Sequence, residues 1–150
     1  MMAQQFTWLF PNAFTEQFEV KPEDTDRLGH TNNLSYLRWL EAIAWAHMEY
    51  LECGWQVNER LGRAMAITRT EMDYHCASYV DESLILGTWI TQSDYRVTPE
   101  RVFQLFRLSD SKLLLSAKIQ FACIDLNSGR ASKMPLELID AHKRAISLSS

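Results

Sequence analysis

The sequence predicts an α+β domain in which one five-stranded antiparallel sheet wraps around one long helix. Three observations carry that prediction. Polar and apolar residues alternate over residues 13–21, apolar residues then recur at intervals of 3 and 4 over residues 33–51, and four strand-like segments separated by turn residues follow from residue 63. The chain has 150 residues, 47% of them hydrophobic, with only 5 Gly and 4 Pro, and no repeat, linker or low-complexity stretch divides it. Residues 1–150 therefore read as a single domain, large enough for a core without staples.

Taken in order, the first strand places Phe14, Glu16, Phe18 and Val20 on one side and Thr15, Gln17 and Glu19 on the other. A polar loop over residues 22–33 follows. The helix comes next, with Leu37, Leu40, Ala44, Met48 and Leu51 on one stripe and Tyr36, Trp39, Ile43, His47 and Tyr50 on its neighbour. Two adjacent stripes make a broad buried face on a helix of roughly 20 residues, about 30 Å long. Asn32 or Asn33 has the side chain of an N-cap, and Gly54 is the expected C-terminal stop. A polar connection then leads to strands over residues 63–79, 83–91, 97–108 and 112–125. The last of these alternates cleanly, with Leu113, Leu115, Ala117, Ile119, Phe121 and Cys123 opposite Ser116, Lys118 and Gln120. After a turn at Asn127-Ser128-Gly129-Arg130, Pro135 precedes a short helical pattern over residues 136–146. A sheet covering a single helix leaves two free edges and an open outer face, so a homodimer or homotetramer is expected.

Several classes of function are excluded by composition. With 15 Lys and Arg against 19 Asp and Glu, the formal charge is −4, which argues against nucleic acid or an anionic membrane as partner. Cys53, Cys76 and Cys123 form no C-x-x-C pair and the four histidines are scattered, so neither a disulfide framework nor a metal site is written, and no cofactor is called for. A cytoplasmic setting fits that cysteine usage. Residues 1–13 lack the basic start of a secretory leader. The most apolar stretch, residues 34–51, is interrupted by Arg38, Glu41 and Glu49 and does not read as a membrane span.

The chemically informative segment is the loop ahead of the helix, which carries Asp24, Asp26, Gly29 and His30. A helix start offers unpaired N–H groups and a partial positive charge, and a carboxylate beside it can act on an electrophile whose oxygen those groups hold. The same residues serve equally well as ordinary turn and capping residues, and spacing leaves both readings open.

The run from Asp24 through Asp26, Gly29, His30, Asn32 and Asn33 to Tyr36 resembles the D-x-D-x-x-G-H-V-N-N-x-x-Y signature of the 4-hydroxybenzoyl-CoA thioesterase-like hotdog-fold enzymes, with Thr31 where Val is common. Glu71 to Ala77 resembles that family's I-x-Y-x-x-P-A strand with Cys76 in place of Pro, and Ile124 to Arg130 with Pro135 resembles its V-D-x-x-T-G-R…P turn. The likeness runs over residues 15–138. It implies the hotdog fold, a pocket between two subunits, and hydrolysis of an acyl-CoA thioester. Residue by residue, it implies Asp26 as the catalytic carboxylate, His30 as the motif histidine, backbone N–H groups near Asn33 as oxyanion donors, and Asn32 and Tyr36 beside the substrate. The chemistry agrees, because a thiolate leaves readily and the difficult parts are delivering water and holding the oxyanion. Whether Asp26 attacks directly or activates water stays open.

Other residues compete with this reading. Glu41 and Glu49 are alternative helix carboxylates that fit a solvated face, and His47 fits a hydrogen-bonded core position. Arg130 and Lys133, and also Arg96 and Arg101, are basic residues able to meet CoA phosphates. The aromatic residues Trp39, Trp45, Trp55, Trp89, Tyr74 and Tyr95 fill a core or else line an acyl pocket, even one for an ammonium-bearing group. The alternative to an enzyme is a hotdog protein that binds acyl-CoA or serves assembly without hydrolysis.

Overall fold

The computed structural model describes residues 6–149. Strands β1 (Phe14–Glu19), β2 (Arg63–Tyr74), β3 (Ser83–Ser93), β4 (Pro99–Arg107) and β5 (Leu113–Asp125) form one antiparallel sheet in the order β1-β3-β4-β5-β2. Helices α1 (Asn33–Tyr50), α2 (Trp55–Leu61) and α3 (Leu136–Leu148) complete the chain. This is the expected α+β hotdog architecture. After α1 the chain crosses to the edge opposite β1, so that β2 pairs with β5. Register shifts at Ile67/Arg69 in β2 and Ile90/Gln92 in β3 are the local irregularities that let long strands bend around a helix.

Helix α1 starts at Asn32, whose extended backbone (φ −82°, ψ 159°) turns its side chain to accept the Ser35 N–H at 2.8 Å. Its inward stripe, Tyr36, Leu40 and Ile43, is sealed against Leu84, Phe103 and Leu115 of the sheet. Each such aliphatic or aromatic side chain contributes about 1.5–3 kcal/mol by leaving water. The neighbouring stripe, Leu37, Ala44 and Met48, is only half-buried. Tyr50 is 68% exposed, so less of the helix girth is covered than the two stripes predict.

Three boundaries differ from expectation. Gly54 does not close α1, which ends at Tyr50 with Leu51 as its cap; Gly54 instead precedes α2, where Glu49 Oε1 accepts the Trp55 N–H at 3.3 Å. The stretch expected to be a polar connection contains α2, whose 7 residues make under two turns, too few to display a helical period. The strand expected over residues 63–79 stops at Tyr74, because the N–H groups of His75 and Cys76 converge on the Leu114 carbonyl and turn the chain out of the sheet.

The outer face is not left bare. Trp8 packs edge-on to Trp89 and Phe106, with ring centroids 5.7 and 4.8 Å apart, and the Trp89 indole N–H donates to the Pro11 carbonyl at 3.0 Å. Gly87 makes room for this cover, since a Cβ there would lie 2.5 Å from the Trp8 ring. The expectation about a leader falls partly on residues 1–5, which lie outside the described residues. At the far end of the sheet, α3 closes a second cluster in which Leu138, Ala141 and Ala145 meet Leu51, Ile90 and Cys123. Cys53, Cys76 and Cys123 are free thiols. Among the described residues no helix is long and apolar enough to cross a membrane, and no group of His, Cys, Asp and Glu is arranged to hold a metal ion.

Candidate active site

The loop between β1 and α1 is built around its two aspartates, and they do different things. Asp24 is buried: its Oδ2 accepts the Lys21 N–H at 2.9 Å, its Oδ1 takes Arg38 Nη2 at 2.6 Å, and its carbonyl accepts the Asn32 N–H at 2.9 Å. These bonds clamp the loop onto the first turns of α1. Asp26 is exposed at the loop tip, where its Oδ1 accepts the N–H groups of Leu28 at 2.8 Å and His30 at 3.2 Å. Gly29, at φ +79°, supplies the left-handed residue this tight turn requires. Asp26 Oδ2 makes no hydrogen bond among the described residues. The carboxylate is thus fixed by one oxygen and open at the other.

The other side of the loop is tied to the segment that follows β2. The Thr31 N–H donates to the Ser78 carbonyl at 2.9 Å, and the Ser78 hydroxyl sits between Thr31 Oγ1 at 2.5 Å and the Tyr36 hydroxyl at 2.9 Å. Thr31 and Ser78 are both buried, so each hydroxyl needs a partner and finds it in the other. This pairing accounts for Thr at a position where valine is common. Tyr36 is 5% exposed, and its hydroxyl is spent on Ser78. The His30 ring is half-buried and packs edge-to-face on Tyr79, centroids 4.9 Å apart.

Asn33 opens α1, and its side chain accepts a hydrogen bond from the Tyr74 hydroxyl of β2. The Asn32 side chain and carbonyl take the N–H groups of Ser35 and Tyr36, which leaves those of Asn33 and Leu34 open at the helix start. Asn33 and Leu34 are both exposed, and neither N–H has a hydrogen-bond partner among the described residues. The loop therefore brings together Asp26, His30, Asn32 and Asn33, with Tyr36 beneath them. It does not bring in Arg130 and Lys133. Both are exposed beyond the end of β5, 10 residues of that strand past the row where Leu115 meets Tyr74, roughly 30 Å away along the strand. Glu49 serves α2 as described, and Glu41 is exposed on α1.

Between the half-buried stripe of α1 and the β2–β5 end of the sheet lies a cavity of about 460 Å³. Leu37, Ala44 and Met48 form its helix wall, and Met65, Ile67 and Phe121 form its sheet wall. At its deep side stand Arg101 and His142. Arg101, expected among the basic residues able to meet CoA phosphates, lies within β4 and is only 4% exposed. Its side faces inward with Phe103 and Leu105, a pattern visible as an arginine interrupting the apolar alternation of that strand. Arg101 Nη1 donates to His47 Nδ1 at 2.8 Å and to Thr88 Oγ1 at 3.3 Å. His47 also stacks on Phe14, centroids 4.9 Å apart, and occupies the core position expected of it.

Burial, and then the Arg101 charge, hold His47 down at about 3 and His142 down at about 4, while burial lowers Arg101 to about 9. At neutral pH both imidazoles are therefore neutral and the guanidinium is charged. In the unfolded chain the histidines titrate near 6.5, so below that pH the unfolded state binds protons that the fold refuses. Stability conferred by the neutral rings is complete above about 6.5 and is lost as pH falls toward 4 and then 3. Melting temperatures measured across that range fall with acid, and less steeply in His142→Gln; equal slopes would contradict the assignment.

Residues 20–142 match the model of the Thioesterase-like superfamily. The chain belongs to that family. No curated protein matches it in sequence. Among solved structures, it is similar to hypothetical protein SAV2348 from Staphylococcus aureus in complex with CoA, at 13% identity and a TM-score of 0.86, covering 96% of this chain and 90% of that one. It is also similar to Slr0204, a 1,4-dihydroxy-2-naphthoyl-CoA thioesterase from Synechocystis, at 18% identity and 0.78, over 88% and 96% of the two chains. YbaW, a probable thioesterase from Escherichia coli, aligns at 20% identity and 0.74, over 88% and 98%. At these identities the likeness establishes the fold.

Proposed function

We propose that this protein is an acyl-CoA thioesterase whose reaction centre is the loop and helix start around Asp26 and Asn33. The observation that carries the reading is that one loop and the helix start it leads into hold an unpartnered carboxylate oxygen, Asp26 Oδ2, and two N–H groups without partners among the described residues. The helix N–H groups of Asn33 and Leu34 hold the thioester carbonyl oxygen as it gains charge. Such donors contribute on the order of 3–4 kcal/mol each in measured oxyanion holes. Asp26 Oδ2 either attacks the acyl carbon or draws a proton from the water that does, and CoA leaves as a thiolate. In both routes one thioester and one water give one free acid and one CoA thiol. Family membership, the motif likeness to 4-hydroxybenzoyl-CoA thioesterases and a structural neighbour in complex with CoA support the substrate class.

The same reading includes a second copy of the chain. Edge strand β2 runs for 12 residues with its outer side unpaired among the described residues and with Ile67 and Tyr74 exposed at 57% and 55%, a strand that invites pairing unless covered. Arg130 and Lys133 are too distant to hold CoA at the Asp26 loop of their own chain, so any role for them requires that second copy. A cytoplasmic setting belongs to the proposal too, supported by the three free cysteines.

The test is product identification with purified protein and a panel of aliphatic and aromatic acyl-CoAs. Hydrolysis yields CoA thiol and free acid in equal amounts. Tight binding with the thioester recovered intact would favour a non-catalytic acyl-CoA binder instead.

A further inference from the structure

The floor of the cavity beside α1 carries more polarity than a hydrocarbon chain needs. Arg101 is 4% exposed, yet none of the carboxylates among the described residues pairs with it. All of its side-chain hydrogen bonds leave from Nη1, to the neutral His47 and to Thr88, so Nε and Nη2 have none. His142 is 2% exposed, lines the same cavity, and its buried Nδ1 has no partner. A buried guanidinium without a counter-ion is costly, and so is a buried ring nitrogen without a hydrogen bond. The guanidinium lines an empty space, and an anionic group placed there removes its cost.

The remaining charges around the cavity do not supply that group. Glu41 is exposed on α1 at the rim, and Glu100 on β4 is engaged by Lys118 Nζ at 3.4 Å. Apart from Thr70 and Asn58, whose buried Oδ1 accepts no hydrogen bond among the described residues, the other walls are aliphatic or aromatic.

Geometry relates this floor to the proposed reaction centre. Arg101 shares a row of the sheet with Ile119 and Thr70, whereas Tyr74, which contacts Asn33 at the start of α1, shares a row with Leu115 and Leu105. Those rows are four strand positions apart, about 13 Å along the sheet. The helix wall between them begins at Leu37, one turn beyond Asn33. An acyl chain whose carbonyl sits at the helix start thus has a path of medium length that ends on Arg101.

We propose that the cavity selects an acyl group ending in a carboxylate, held by Arg101 with His142 as its second contact. The proposal rests on the thioesterase reading for its CoA end and deepens it by naming the substrate class as ω-carboxyacyl thioesters. A planar carboxylate matches the free edge of the guanidinium and can accept from His142 in its Nε2–H form, a nitrogen with no hydrogen bond among the described residues. An ammonium-bearing acyl group, which the aromatic content of the sequence left open, would instead face an unpaired cation. The chemistry alone also admits a free dicarboxylic acid as occupant, and the experiment separates the two.

The test compares matched pairs: hexanedioyl-CoA against hexanoyl-CoA, and free hexanedioate against hexanoate, with the wild type, Arg101→Met and Arg101→Lys. In the wild type, kcat/KM favours the ω-carboxyl thioester at least tenfold. In Arg101→Met the preference disappears or inverts, and Arg101→Lys retains part of it. This ratio is insensitive to a general loss of packing, which lowers both members of a pair together. Should Arg101→Met fail to fold, titration calorimetry on the wild type decides: hexanedioyl-CoA binds at least tenfold tighter than hexanoyl-CoA. Equal affinities, or preference for the monocarboxyl partner, would overturn the proposal while leaving hydrolysis standing. Preferential binding of hexanedioyl-CoA with no turnover of either thioester would uphold the carboxylate site and overturn the thioesterase reading. Binding of free hexanedioate with no preference among the thioesters would assign the cavity to a free acid, and the substrate class would be wrong.

Discussion

Asp26→Asn folds as the wild type does and hydrolyses acyl-CoA about 10²–10⁴-fold more slowly, the range a positioned base or nucleophile contributes. The amide oxygen of asparagine still accepts the N–H groups of Leu28 and His30 that Asp26 Oδ1 holds, so the turn with Gly29 at φ +79° keeps its bonds. What is lost is the charge at the unpartnered position. The neighbouring substitution Asp24→Asn behaves in the opposite manner. Asp24 is buried and binds Lys21 N–H and Arg38 Nη2, so weakening it costs about 1–3 kcal/mol of stability. Its effect on turnover is the smaller of the two. Thermal melts alongside thiol release separate the two aspartates, and a large activity loss in Asp24→Asn with none in Asp26→Asn would reverse their assignment.

The second large effect is expected from a backbone donor. Asn33→Pro removes one of the two open N–H groups at the position of a helix where proline is best tolerated. The preceding residue, Asn32, already has φ −82° and ψ 159°, within the region that a residue before proline prefers. Helix α1 therefore persists while one oxyanion donor is deleted, and kcat falls about 10²–10³-fold. Asn33→Ala is the control: it loses the same side-chain contact to Tyr74 but keeps the N–H, and it stays far closer to wild type. Circular dichroism verifies the helix in both. Equal losses in the two variants would assign the effect to the Asn33 side chain rather than to the helix start.

Most of the fold was legible because its elements are long enough to display their period. The 18 residues of α1 and the 13 of β5 each repeat their pattern several times. The 7 residues of α2 do not, and Gly54 reads alone as a stop for α1 when it serves as the start of α2. The cover on the outer face depends on Trp8 meeting Trp89, more than 80 residues away, which no local pattern reports. At the site, the motif names its residues but not their division of labour. Asp24 and Asp26 look equivalent in the sequence, and burial and hydrogen bonds separate them. Arg101 was visible as an arginine on an apolar strand face, but its meaning depends on two histidines from α1 and α3 that only the folded chain gathers around it.

Hydrolysis and its dependence on Asp26 are read at once by turnover in ¹⁸O-labelled water. Wild-type protein and Asp26→Asn are incubated with the same acyl-CoA, and the released acid is weighed by mass spectrometry. The predicted result is free CoA with an acid carrying solvent oxygen from the wild type, and only a trace of either from the variant. Free acid formed at equal rates by both proteins, or CoA released without labelled acid, would contradict it.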